Sequence, residues 1–137
     1  MAVDLSSFKK LLIEDEGLKL KAYKDTLGVT TIGVGRNLDQ VGISEEEAMM
    51  LLDNDIANVY KQAMVLPWFK YLSIKRQDVI LSMIFNMGLA GVLEFKGMIR
   101  ALIVADYEVA AEEMLDSKWA GQVRRRAKRL AAMMREG

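Results

Sequence analysis

The sequence predicts an α+β fold, mainly helical, with one small antiparallel β-hairpin near its N-terminus. Three observations carry this. Residues 4–16 and most of the chain after residue 44 place apolar side chains at helical spacing. Residues 18–34 instead hold a loosely alternating stretch, an Asp-Thr-Leu-Gly turn and a β-branched return. The composition is that of a globular chain: 137 residues, 52% hydrophobic, with 19 basic against 19 acidic side chains. That length suffices for a real core, as one folding unit or two small lobes.

Composition also removes whole classes of chemistry. There is no Cys and no His. Disulfide staples and thiolate catalysis are excluded, and so are the usual general base and main metal ligand. Carboxylates are left as the acid–base candidates. The acids show no calcium-loop spacing, so no metal or cofactor is expected. No apolar run is long enough to span a membrane. Met1-Ala2-Val3-Asp4 lacks a basic region and a long apolar stretch, so no signal peptide is expected.

The first element, residues 4–16, reads as an amphipathic helix with Asp4 as N-cap. Its stripe is Leu5, Phe8, Leu11, Leu12 and Ile13, and Gly17 is the stop. At about 100° per residue, Glu16 lies within roughly 20° of Leu5 and 40° of Leu12. It is therefore expected on or beside the buried face, at the negative end of the helix dipole. Local rules would place Lys or Leu there. A carboxylate that breaks them is a candidate general acid, although a Glu that frays into solvent beside Gly17 fits the helix as well.

The second element is the hairpin. Lys19, Lys21 and Lys24 alternate loosely with Leu18, Leu20 and Tyr23. Asp25-Thr26-Leu27-Gly28 has the signature of a type I turn, and Val29-Thr30-Thr31-Ile32-Gly33-Val34 is a β-prone return. Asp25 starts turns for its own hydrogen-bonding reasons, so by itself it reads as a turn residue. Gly33 and Gly35 lack the third glycine and the βαβ context of a nucleotide fingerprint. They read as allowing a bend or a close backbone approach.

After a loop at 37–43, Ser44-Glu45-Glu46-Glu47 forms a capping box, with Ser44 as N-cap and Glu47 at N3. The helix it opens runs to about Met64 and ends before Pro67. Its stripe is Ala48, Leu51, Leu52, Ile56 and Val59. Asp55 falls on that stripe, where a carboxylate wants a partner. Residues 68–135 read as packed helices. Val79, Ile80, Met83, Ile84 and Met87 face inward on one, Val109, Ala110 and Met114 on another. On the last, Val123, Ala127, Leu130, Ala131 and Met134 face inward, and Arg126 borders that face. The ten methionines read as core filler. A nucleic-acid-binding role for Arg124 to Arg129 is disfavoured by the balanced charge and the lack of interleaved aromatics.

Three stretches together carry a resemblance. They are Glu16-Gly17-Leu18 through Tyr23-Lys24-Asp25-Thr26 and Gly28 to Thr31-Ile32-Gly33-Val34-Gly35; Phe85-Asn86-Met87-Gly88 with Gly91 and Phe95; and Trp119 with Arg124-Arg125-Arg126-Ala127-Lys128-Arg129. In this order they resemble the phage lysozymes related to the T-even phage enzyme. Those are muramidases that cut the β-1,4 bond between N-acetylmuramic acid and N-acetylglucosamine in peptidoglycan. The resemblance implies that Glu16 is the general acid, Asp25 the second carboxylate and Thr31 the hydroxyl that helps hold the attacking water. An inverting enzyme needs its two carboxyls about 6.5–9.5 Å apart to admit that water.

The same resemblance assigns supporting residues. Asn86 falls where the family has Gln at the cleft, implying a sugar-amide contact; helix-end capping is its plainer reading. Arg126 matches the arginine that approaches and orients the catalytic Glu. Asp55 matches an acid that pairs with a basic residue, often His, at the end of the hairpin stretch. That residue is Arg36 here, implying an Arg36–Asp55 ion pair without the pH sensitivity of an imidazole. Without the resemblance, two solvated charges fit equally well. The remaining basic residues of the last helix read as a solvated face, or as long-range attraction to an anionic wall.

The implied fold is lysozyme-like, one domain over 1–137. Its small β-containing lobe covers about 17–60, and 1–16 with 61–137 form the larger helical lobe, the two joined by the long helix after Ser44. The T-even enzyme's extra helix between hairpin and connector has no counterpart, so a more compact small lobe is expected. The implied function is an endolysin for host-cell lysis, monomeric, acting on bacterial peptidoglycan without nucleic-acid binding or stable membrane insertion. It would be made in the host cytoplasm and reach the wall through a separate holin-like protein. The alternative is a lysozyme-fold peptidoglycan-binding or regulatory protein without turnover, against which the intact Glu16, Asp25 and Thr31 set argues.

Overall fold

The first helix starts two residues later than expected. In the computed structural model, which describes residues 3–137, α1 spans Ser6–Glu16. The Met1-Ala2 part of the leader reading lies outside the described residues. Leu5 occupies the N-cap position and offers no side-chain cap. Asp4 still serves the helix start, because its Oδ1 accepts from the Ser6 amide at 2.9 Å and the Ser6 hydroxyl at 2.6 Å. Gly17 stops the helix with φ 76°, and its N–H donates to Ile13 O.

The hairpin forms as read. Strand β1, Lys19–Lys24, pairs antiparallel with β2, Thr30–Gly33, in a register that sets Tyr23 opposite Thr31 and Lys24 opposite Thr30. The turn closes through Gly28 N–H to Asp25 O at 3.0 Å. A third strand, β3 at Arg36–Asn37, extends the sheet in the order β1-β2-β3. Thr31 pairs with Asn37, and Ile32 with Arg36. Two residues are too few for alternation to reveal a strand, which is why the sequence reads only a loop from residue 37.

Helix α2, Glu45–Ala63, opens with the expected capping box. Glu47 N–H donates to Ser44 Oγ at 3.1 Å, and Ser44 N–H donates to Glu47 Oε1 at 2.9 Å. The chain divides into two compact units, Met1–Met50 and Leu51–Gly137, with the boundary inside α2.

The second unit holds the hydrophobic core. A 3-10 turn at Phe69–Tyr71 leads into α3, Ile74–Leu93, which breaks at Gly88 where φ is 81°. Then follow α4 (Lys96–Ile103), α5 (Tyr107–Leu115), α6 (Lys118–Gln122) and α7 (Arg124–Glu136). Ser73, Asp106 and Ser117 cap α3, α5 and α6 through their side-chain oxygens. Phe69, Ile80, Met83, Met98, Met114 and Met134 are among the largest fully buried side chains, so several methionines do fill the core.

Three helix faces differ from the reading. On α5 the buried residues are Ala110, Ala111 and Met114, while Val109 stays 37% exposed. Val109 sits about 100° behind Ala110, on the far side of the stripe that Ala111 completes. On α1 and α2 the apolar stripes are largely exposed: α1 has no buried residue, and α2 has Ala63. Helical spacing identifies an apolar face, but burial also requires a second surface, and the small sheet does not supply one to α1.

Candidate active site

Glu16 ends α1, and its carboxylate lies against the backbone of Gly35. A Cβ built on Gly35 would meet Glu16 Oε2 at 2.9 Å, Cδ at 3.1 Å and Cγ at 3.2 Å. Gly35 also has φ 66°, a backbone shape that side chains disfavour. The close approach read from Gly33-x-Gly35 is thus real and has a named beneficiary. Glu16 itself is exposed within its unit. The burial expected for it is not supplied there, because the Leu5 and Leu12 stripe beside it is uncovered.

Asp25 and Thr31 share one anchor, Val29. Asp25 Oδ1 accepts from Val29 N–H at 2.9 Å and from Leu27 N–H at 2.8 Å. Asp25 N–H donates to Val29 O at 2.9 Å. Thr31 Oγ1 donates to that same carbonyl at 2.9 Å. Thr31 is 5% exposed and is the buried polar residue among those described. The consequence is a division of labour. Asp25 keeps Oδ2 for another donor, and the Thr31 hydroxyl, its proton spent on Val29, keeps lone pairs to accept. The sequence shows both side chains but not Val29, whose contribution is entirely backbone.

The Arg36 ion pair is not with Asp55. The guanidinium forms a fork on Glu47, Nη1 to Oε1 at 2.9 Å and Nη2 to Oε2 at 2.8 Å, and Nη1 also donates to Gly42 O at 3.1 Å. Glu47 and Asp55 are eight residues apart on α2, about 12 Å of helix rise, so one guanidinium held at Glu47 does not serve both. Asp55 is exposed and solvated instead. Arg36 first, then the Ser44 backbone N–H, holds the Glu47 carboxyl down at about 2. The capping box made Glu47 visible as a helix-start residue, but nothing local marked its second partner.

In the second unit, Asn86 Oδ1 accepts from Trp119 Nε1 at 2.7 Å. This joins two of the motif stretches and leaves the amide nitrogen of Asn86 as its outward donor. Trp119 is buried edge-on to Phe95, with ring centres 6.0 Å apart. Arg126 is half-buried and held on α3, where its Nη2 donates to Ser82 Oγ at 3.0 Å.

Comparison with known proteins identifies the family. The family model described as Phage lysozyme matches residues 13–129. The chain is similar to the pre-baseplate central spike protein Gp5 of Enterobacteria phage T4, 31% identical over 96% of this chain and 28% of that protein. It is similar to the probable T4-type lysozyme 1 of Dictyostelium discoideum, 30% identical over 97% of this chain and 96% of that one. It is also similar to an endolysin of Acyrthosiphon pisum secondary endosymbiont phage 1, 35% identical over 76% of this chain and 70% of that one. With a match that runs from before Glu16 to beyond Arg126 and relatives aligned along nearly the whole chain, this protein belongs to the phage lysozyme family, the lysozyme class of glycoside hydrolases.

Proposed function

We propose that this chain is an endolysin that hydrolyses the β-1,4 bond between N-acetylmuramic acid and N-acetylglucosamine in bacterial peptidoglycan. The observation that carries the reading is the shared Val29 anchor. It leaves Asp25 Oδ2 and Thr31 Oγ1 as two acceptors on one short segment. A water that gives one proton to each keeps a lone pair free to attack the anomeric carbon. Asp25 takes up the proton as the bond forms.

Glu16 donates its proton to the leaving glycosidic oxygen. Because it is exposed in its own unit, the bound glycan supplies the desolvation that favours the protonated carboxyl. Inversion requires a water-sized gap between the two acids, and it is the outcome this reading expects. Asn86, with its oxygen committed to Trp119, offers its amide N–H to a sugar acetamido carbonyl. The biological role is host-cell lysis by a monomeric enzyme acting on the wall after a holin-like protein opens the membrane.

The test is turbidity loss of outer-membrane-permeabilised Gram-negative cells, wild type against Glu16→Gln, with reducing-end and anomeric analysis of the products. Clearing by the wild type and none by a folded Glu16→Gln is expected, with inverted reducing ends at N-acetylmuramic acid. Equal clearing by both proteins removes Glu16 from the chemistry. Absence of clearing by a folded wild type on several wall types removes the endolysin reading.

A further inference from the structure

The supports of two catalytic groups converge on β3. Gly35, immediately before it, backs the Glu16 carboxylate. Asn37 and Arg36, the strand itself, pair with Thr31 and Ile32. A strand of two residues has too short a ladder to hold itself in place. It is held from outside, by the guanidinium fork on Glu47.

The fork is built to be rigid. Glu47 lies in the first turn of α2, and its Oε1 accepts at once from Arg36 Nη1 and Ser44 N–H, both at 2.9 Å. Arg36 Nη1 also takes the Gly42 carbonyl at 3.1 Å, closing the loop between β3 and α2. Strand, loop and helix start thus meet at one carboxylate. A site held on a regular element keeps its geometry better than one held on a loop.

We propose that Glu47 is a positioning residue of this lysozyme: by gripping Arg36 it fixes β3, and β3 sets the Glu16 carboxyl and the Thr31 hydroxyl for reaction. The proposal rests on the reading of Glu16 as general acid. Glu47 touches no substrate and acts only through Arg36 and Gly35. The competing explanation is that Glu47 serves the helix start alone. Glu47→Gln separates the two, because glutamine at N3 still completes a capping box but turns an amide nitrogen or a neutral oxygen toward the guanidinium. Arg36→Lys is the complementary change, keeping the charge and losing the fork.

The experiment measures kcat and KM on soluble, uncrosslinked peptidoglycan strands, with circular dichroism melting as the folding control. Both variants are expected to lose about tenfold in kcat while KM stays within about twofold. The double variant should fall no further than the worse single, since both break one clamp. A folded Glu47→Gln with wild-type kcat overturns the proposal, as does a loss confined to KM. If Glu47→Gln does not fold, a folded Arg36→Lys with unchanged kcat overturns it equally. Glu16→Gln is measured alongside. If it retains activity, the general-acid reading falls and the clamp with it; if it is inactive while both clamp variants keep full kcat, the clamp alone falls.

Discussion

Replacing Gly35 by alanine tests the placement of Glu16 directly. The new Cβ would sit 2.9 Å from Glu16 Oε2 and 3.1 Å from Cδ, where comfortable contact is about 3.5–4.0 Å. The carboxyl must retreat by roughly 0.5–1 Å, and a misplacement near 1 Å costs about 10²-fold in rate. Gly35→Ala should therefore lower kcat about 10- to 100-fold, equivalent to about 1.4–2.7 kcal/mol of barrier. It also forces an alanine to φ 66°, at about 1–2 kcal/mol of stability. The matched control is Gly33→Ala. Its φ of 68° brings the same backbone strain, but a Cβ there meets nothing within 4 Å. Urea denaturation should show similar stability losses for the two variants, and wall-clearing assays should show the rate loss only for Gly35→Ala. Equal activity of the two variants would refute the claim that Gly35 places the catalytic acid.

Further expectations follow from the same geometry. Thr31→Val removes the hydroxyl but leaves Val29 O with its bond from Asp25 N–H, so it should cost only about 1 kcal/mol of stability. Its kcat should drop about 10- to 100-fold, and unchanged clearing would remove Thr31 from the water site. Ile80→Ala, at a fully buried core position, should cost about 2–5 kcal/mol by urea denaturation, while specific activity of the folded fraction is kept. The Glu47 carboxyl titrates at about 2 in the folded protein against an ordinary 4.5, so the fold favours its ionised form. That contribution is complete above about pH 4.5 and is lost as pH falls toward 2. The melting-temperature gap between wild type and Glu47→Gln should be flat at neutral pH and narrow across that acid window; a gap that widens there would contradict the clamp.

What the sequence reveals here is what depends on near neighbours. The Asp25 turn, the Ser44–Glu47 box and the Val79, Ile80, Met83 and Ile84 stripe each follow from residues within one turn of one another, and each forms. The partner of Arg36 does not follow. Glu47 and Asp55 are both carboxylates on the same helix, and only the fold of the loop through Gly42 brings the guanidinium to the nearer one. The uncovered stripe of α1 shows the same limit, since periodicity marks a face and cannot name what covers it. The Trp119–Asn86 bond, 33 positions apart in sequence, is invisible to any local rule. At the candidate site a close approach at the glycine pair was legible in advance, whereas the group that makes it, Glu16, and the Val29 backbone that anchors Asp25 and Thr31 were not.

The arginine in the β3 clamp has a consequence for how the enzyme can be studied. Its carboxylate partner changes state only near pH 2, and the guanidinium does not titrate in the accessible range. The chain has no imidazole and no thiol, which leaves the α-amino group as the other ordinary titrator near neutrality. The clamp is therefore electrically silent near neutral pH. Substitutions at the clamp can thus be compared with the wild type near neutrality without any change in the charge state of the clamp itself.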